Sequence, residues 1–130
     1  FYPKLVAPLQ PRALVIYAGD NDLALGAAPL EVWESLRALL DQTGDIPLAF
    51  LSLKPSPARG ELRELIEETN NYCGREIWSR GQTWVEIYAP MLDENGAPRP
   101  ELFAPDELHL SRAGYALWGE ILKREIGFLS

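Results

Sequence analysis

The chain has 130 residues, 47% of them apolar, and a net charge of −7, which suits one domain around one core. Its 12 Lys and Arg residues are scattered and form no basic stripe, so nucleic acid is excluded as an expected partner and the acidity reads as a solubility feature. A single cysteine, Cys73, rules out an internal disulfide framework, and no apolar run approaches the ~20 residues that span a bilayer.

Residues 1–10 read as the tail of a helix whose own strand would come before it. Residues 13–18, ALVIYA, form a continuous apolar and β-branched run, the pattern of a strand covered on both faces. Gly19 ends it, and residues 19–22, Gly-Asp-Asn-Asp, read as a strand-end turn. A helix is predicted over 29–40, with Pro29 in its first turn, Leu30, Trp33, Leu36, Leu39 and Leu40 on one face, and Gly44 as its stop. A second strand over 46–53 is ended by Lys54-Pro55-Ser56-Pro57. A second helix over 61–73 carries Leu62, Leu65, Ile66, Thr69 and Cys73 on one side, with Gly74 as a plausible stop. On this stripe Cys73 reads as a buried small hydrophobe, with a reactive thiol served by the lone His109 as the alternative. A third strand covers 83–88, and a turn-rich loop runs over 91–105. The last helix is capped by Ser111, carries Tyr115, Leu117, Trp118, Ile121 and Leu122 at helical spacing, and closes at Gly127.

Alternation of strands and helices at this spacing gives a parallel sheet with right-handed crossovers. The expected fold is a three-layer α/β/α, flavodoxin-like sheet whose last three strands are visible. In open parallel sheets ligands bind beyond the carboxyl ends of the strands. Residues 19–22, 54–59 and 89–109 all fall at that edge.

His109 is the only histidine, and it follows Asp106 by three residues. Imidazole is the usual general base near neutrality, and a carboxylate on its second nitrogen fixes the tautomer. The same spacing also suits a histidine that packs at a helix entry. Asn21 offers an uncharged amide donor of the kind an oxyanion hole uses, and Gly19 lets the backbone leave the strand. As a bland alternative, Asn and Asp are ordinary turn residues.

These segments together resemble the SGNH hydrolases, also called GDSL esterases/lipases. Gly19-Asp20-Asn21-Asp22 is similar to the family's block III, and Asp106-Glu107-Leu108-His109 to its block V. Residues 110–115, LSRAGY, resemble the helix that follows block V, and residues 52–59, SLKPSPAR, resemble a stretch of one bacterial subgroup. The resemblance runs over essentially the whole chain, in order. It implies that residues 1–130 are the C-terminal part of a single hydrolase domain acting on a small-molecule ester without metal or cofactor. It further implies His109 as base, Asp106 as its partner, Asn21 as a side-chain oxyanion donor, and Gly19 and Asp22 as shapers of the block III turn.

The departure is large. Blocks I and II, which supply the nucleophilic Ser and a backbone oxyanion donor, have no counterpart here, and the family places both upstream of what is Phe1. Among the chain's own serines only Ser56, between Pro55 and Pro57, sits at the correct sheet edge, and it has no strand-to-helix elbow. The chain alone is therefore expected to be inactive. The family strand order 2-1-3-4-5 also implies that strand 13–18 has an open edge, to be covered by an N-terminal fragment or by another copy of the chain. Two other readings remain open at this point: a flavodoxin-like module that binds a ligand without turnover, and a metal site formed by Asp20, Asp22, Asp106 and His109. Lys54 and Arg59 face the same edge, either to bind an anionic part of a substrate or to anchor loops.

Overall fold

The computed structural model describes residues 4–9, 13–43 and 47–126. Four strands, β1 (Lys4–Leu9), β2 (Ala13–Tyr17), β3 (Leu48–Leu51) and β4 (Thr83–Val85), form one sheet in the order β1-β2-β3-β4. Strands β2, β3 and β4 are parallel, with Ile16 level with Phe50 and Phe50 level with Trp84. The helices are α1 (Asp20–Ala24), α2 (Pro29–Thr43), α3 (Arg63–Ser79) and α4 (Arg112–Glu125). The three parallel strands with their crossover helices are the α/β arrangement expected from the hydrophobic pattern.

The core follows from strand alternation. Ile16, Phe50 and Trp84, side by side across the sheet, meet Val32 and Leu36 of α2 and Thr69 and Cys73 of α3. Tyr17 meets α4, its ring 5.1 Å from that of Trp118. Helices thus cover both faces, and Val15, Ile77, Val85 and Ile87 are fully buried. Cys73 is buried as well, and that burial pushes its thiol up to about 12, so it is packing and not a nucleophile.

Several expectations change. Residues 4–9 are not the tail of a helix but a strand, antiparallel to β2, with Lys4 opposite Tyr17, Leu9 opposite Ala13 and a bulge between Leu5 and Ala7. A proline at position 8 removes a helix hydrogen bond and clashes with the preceding turn, whereas an edge strand tolerates it. The far edge of β2, expected to be open, is lined by β1. The turn over 19–22 continues into the short helix α1, anchored by the buried Leu23.

Helix α3 passes through Gly74 to Ser79. Gly74 is small because a Cβ there would stand 2.9 Å from Nε1 of Trp84, not because the helix stops. The third strand ends at Val85 and not at residue 88. Beyond it, the Ser52 hydroxyl accepts the amides of Ile87 (2.8 Å) and Tyr88 (3.1 Å), replacing ladder bonds with side-chain ones. The expected stops at Gly44 and Gly127 lie outside the described residues.

Candidate active site

His109 stands on a tight turn built by its own sequence. Phe103 and Leu110 bridge antiparallel, and the Ala104 amide donates to the His109 carbonyl at 2.8 Å. Residues 105–108 form the turn between them. Asp106 closes it: Oδ1 accepts the amides of Leu108 and His109, both at 2.9 Å, while Oδ2 meets Nδ1 of His109 at 2.5 Å. The hydrogen bond from His109 and then those from the two amides hold the Asp106 carboxyl down at about 2. Asp106 is therefore a carboxylate across the neutral range. Its contact with Nδ1 leaves Nε2 as the ring nitrogen without a partner among the described residues. Both side chains are exposed, so a reactant could reach them. Glu107 takes a left-handed φ of 59°, which the turn requires.

Behind His109, α4 locks the turn in place. The Ser111 hydroxyl accepts the amide of Gly114 and donates to the Glu101 carbonyl (2.6 Å), while the Ser111 amide donates to the Leu102 carbonyl (2.9 Å). Ser111 is thus the helix cap its position predicts.

The second segment leaves β2 at Gly19, whose φ of 121° strains any other residue. A Cβ there would also lie 2.9 Å from the Val32 side chain. Asn21, in the first turn of α1, is exposed, and its Oδ1 accepts from Nη2 of Arg59 at 2.9 Å. The Asp22 carbonyl accepts the amides of Leu25 and Ala27, closing the end of α1. Oδ2 of Asp22 is buried with no hydrogen-bond partner among the described residues, and burial raises its carboxyl pKa.

The third segment follows β3. Asn70 of α3 holds its start, taking the Leu53 amide (2.7 Å) and donating to the Leu53 carbonyl (3.1 Å). The segment then ties to the His109 turn, since the Ala58 amide donates to the Glu107 carbonyl (3.0 Å) and the Ser56 hydroxyl to the Leu108 carbonyl (3.5 Å). Asn21, Arg59 and the Asp106–His109 turn are therefore linked through one loop at the carboxyl ends of the strands. Beside that loop lies a cleft of about 450 Å³ whose walls include Pro55, Ser56, Arg59, Arg63, Tyr88 and Glu107.

Lys54 is not a free substrate-binding cation. It is buried, its ammonium 3.0 Å from Oδ2 of Asp20, with the Tyr17 hydroxyl donating to the same oxygen at 3.0 Å. Burial pushes the Asp20 carboxyl up, but the Lys54 charge and the hydrogen bonds from Lys54 and Tyr17 outweigh it, so the net shift is downward. The sequence reading missed this network. Its only signal was a lysine wedged between Leu53 and Pro55 at a strand end.

Among the described residues no three His, Cys, Asp or Glu side chains come together to hold a metal ion. The alternative site at Asp20, Asp22, Asp106 and His109 does not assemble, because Asp20 faces Lys54 and Asp106 faces its own turn. The described serines donate elsewhere than to His109: Ser35 to Glu31, Ser52 to Glu86, Ser56 to Leu108, Ser79 to Glu76 and Ser111 to Glu101.

The His–Asp pair and the Asn-bearing turn thus lie at the carboxyl ends of the parallel strands, the edge at which open α/β sheets bind ligands. The chain belongs to the GDSL-like Lipase/Acylhydrolase family, whose sequence model matches residues 2–117. A GDSL-like lipase from Bacteroides thetaiotaomicron has the same fold, with a TM-score of 0.75 at 24% identity over 92% of this chain and 64% of that one. A member of the lipolytic G-D-S-L family from Veillonella parvula gives 0.75 at 14% identity over 94% and 67%. The OSK domain of Drosophila Oskar gives 0.76 at 13% identity over 92% and 64%. The chain spans 58% to 67% of the lengths of such matched structures. No curated protein matches it.

Proposed function

We propose that the protein is a serine ester hydrolase in which this chain supplies the base, the orienting acid and one oxyanion donor. The carrying observation is the Asp106–His109 contact, set on the strand-end edge and linked through residues 56–59 to Asn21. The nucleophilic Ser lies upstream of Phe1, which is in keeping with the engagement of every described serine elsewhere. The family and the exposed dyad support a small-molecule ester as substrate.

In this reading His109 takes the Ser proton at Nε2 as the Ser oxygen attacks the ester carbonyl. Asp106 holds the Nδ1 proton and stabilises the imidazolium. Asn21 donates from its side-chain amide to the oxyanion that forms. His109 then returns the proton to the leaving alcohol, and water, activated by the same base, releases the acid. The steps call on no metal or cofactor.

The test is hydrolysis of p-nitrophenyl acetate by the intact protein and by the 130-residue chain. Turnover is expected in the first and none in the second. His109→Ala is expected to bring the intact protein to background, and Asn21→Ala to lower kcat at least ~10-fold and, on the usual scale for a lost oxyanion donor, about 100-fold. Unchanged turnover in Asn21→Ala removes that residue from the mechanism. His109-dependent saturation kinetics in the chain alone would place the nucleophile within it.

A further inference from the structure

We infer that Arg59 is the positioning residue that turns the Asn21 amide so that its NH2 group, and not its carbonyl, faces the reacting carbonyl. The inference rests on the ester-hydrolase reading above and assigns to this site a residue outside the triad and the oxyanion donors. A carboxamide has two ends, and only the NH2 end can stabilise an oxyanion. Free in solvent, it would present either. A guanidinium carries donors only, so the Asn21 atom 2.9 Å from Nη2 of Arg59 must be the carbonyl oxygen Oδ1. That contact occupies the acceptor end and leaves the NH2 end unclaimed by any other described residue.

Arg59 is itself held for the purpose. Its amide donates to the Ser56 carbonyl at 2.9 Å, and the neighbouring Ala58 amide donates to the Glu107 carbonyl, within the turn that carries His109. The same loop therefore fixes the oxyanion donor relative to the base. Nε of Arg59 is buried without a partner among the described residues, although a surface arginine could satisfy it by swinging into solvent. The guanidinium charge beside Oδ1 also draws electron density from the amide and makes its N–H groups stronger donors.

The experiment compares wild type, Arg59→Ala and Arg59→Lys in the intact protein, reading ester hydrolysis and the side-chain amide resonances of Asn21 together. Arg59→Ala is expected to lower kcat roughly 10-fold, less than deletion of the donor, with KM nearly unchanged and the pH profile of kcat/KM kept, because His109 is untouched. The Asn21 amide proton pair is expected to shift. Arg59→Lys, which keeps a cationic donor without the fork, and added guanidinium with Arg59→Ala should each restore part of the rate. A kcat for Arg59→Ala within about twofold of wild type overturns the inference. So does a loss that neither lysine nor guanidinium relieves while the Asn21 resonances stay in place, since that marks a merely structural arginine. If His109→Ala leaves turnover intact, the ester-hydrolase reading falls by itself. The Asn21 resonances then judge Arg59 alone, and unmoved resonances in Arg59→Ala overturn its role.

Discussion

At the scale of single residues, the site stands on a buried charge pair that takes no part in the proposed chemistry. Lys54 and Asp20 meet at 3.0 Å with side chains only 10% and 12% exposed, and Tyr17 hydrogen-bonds both. Removing one partner of such a pair leaves the other buried and uncompensated, which costs about 3–5 kcal/mol, more than the pair itself contributes. Lys54→Met is therefore expected to destabilise the chain by about that amount at pH 7 in urea unfolding. The sign with pH follows from Asp20, whose folded pKa is lowered. Its contribution is present above the ordinary carboxylate value of ~3.9 and is lost as pH falls through the lower folded value. The gap between wild type and Lys54→Met should accordingly narrow in acid, and a gap that widens there would contradict the pairing. Beyond a lysine wedged between Leu53 and Pro55, this was not legible in the sequence, because Lys54 reaches Tyr17 and Asp20 only once β2 and β3 lie side by side. Asp106 and His109 were legible, because three residues of spacing within one turn fix their contact locally.

At the scale of elements, two glycines in α4 make opposite predictions from the same substitution. Intrinsic propensity favours Ala over Gly in a helix by about 1 kcal/mol. At Gly119 a Cβ meets nothing within 4 Å, so Gly119→Ala should stabilise by roughly 0.5–1 kcal/mol. At Gly114 a Cβ would stand 2.2 Å from the Leu102 carbonyl oxygen, which also accepts the Ser111 amide. A backbone oxygen cannot step aside as a flexible side chain can. Gly114→Ala should thus destabilise by about 1–3 kcal/mol and disturb the His109 turn. Urea midpoints of the two variants that move in the same direction would refute this account of α4. Helices α2, α3 and α4 were legible because an apolar face repeats along each of them, whereas the five-residue α1 is too short to show one. Their ends were not, as Gly74 shows: it reads as a stop in the chain and serves as a seat for Trp84 in the fold. The short β4 escaped for a related reason. Residues 86–88 alternate like a strand, but the Ser52 hydroxyl, just past the end of the neighbouring β3 and far away only in sequence, takes the amides of Ile87 and Tyr88.

At the scale of the whole molecule, the edge of β2 decides what the chain can do. The first ten residues read as a helix tail, and apolar pattern alone could not say that they would form a strand or which edge that strand would join. They join β2, antiparallel, through β1. The proposed nucleophile strand needs the same place, since the family order 2-1-3-4-5 sets a parallel strand against the first visible one. Two strands cannot share one row of β2 backbone groups, so β1 should leave when the upstream strand is present. Leu5→Pro combined with Ala7→Pro tests this, because it removes two N–H groups from β1 without touching β2. In the 130-residue chain the double variant should lower stability by about 1–3 kcal/mol, the worth of one or two ladder bonds. In the intact protein the same double variant should leave ester turnover close to wild type, because β1 no longer lines that edge. Turnover that falls together with the stability of the chain would mean that β1 keeps its place, and that the nucleophile must approach His109 from elsewhere than a strand beside β2.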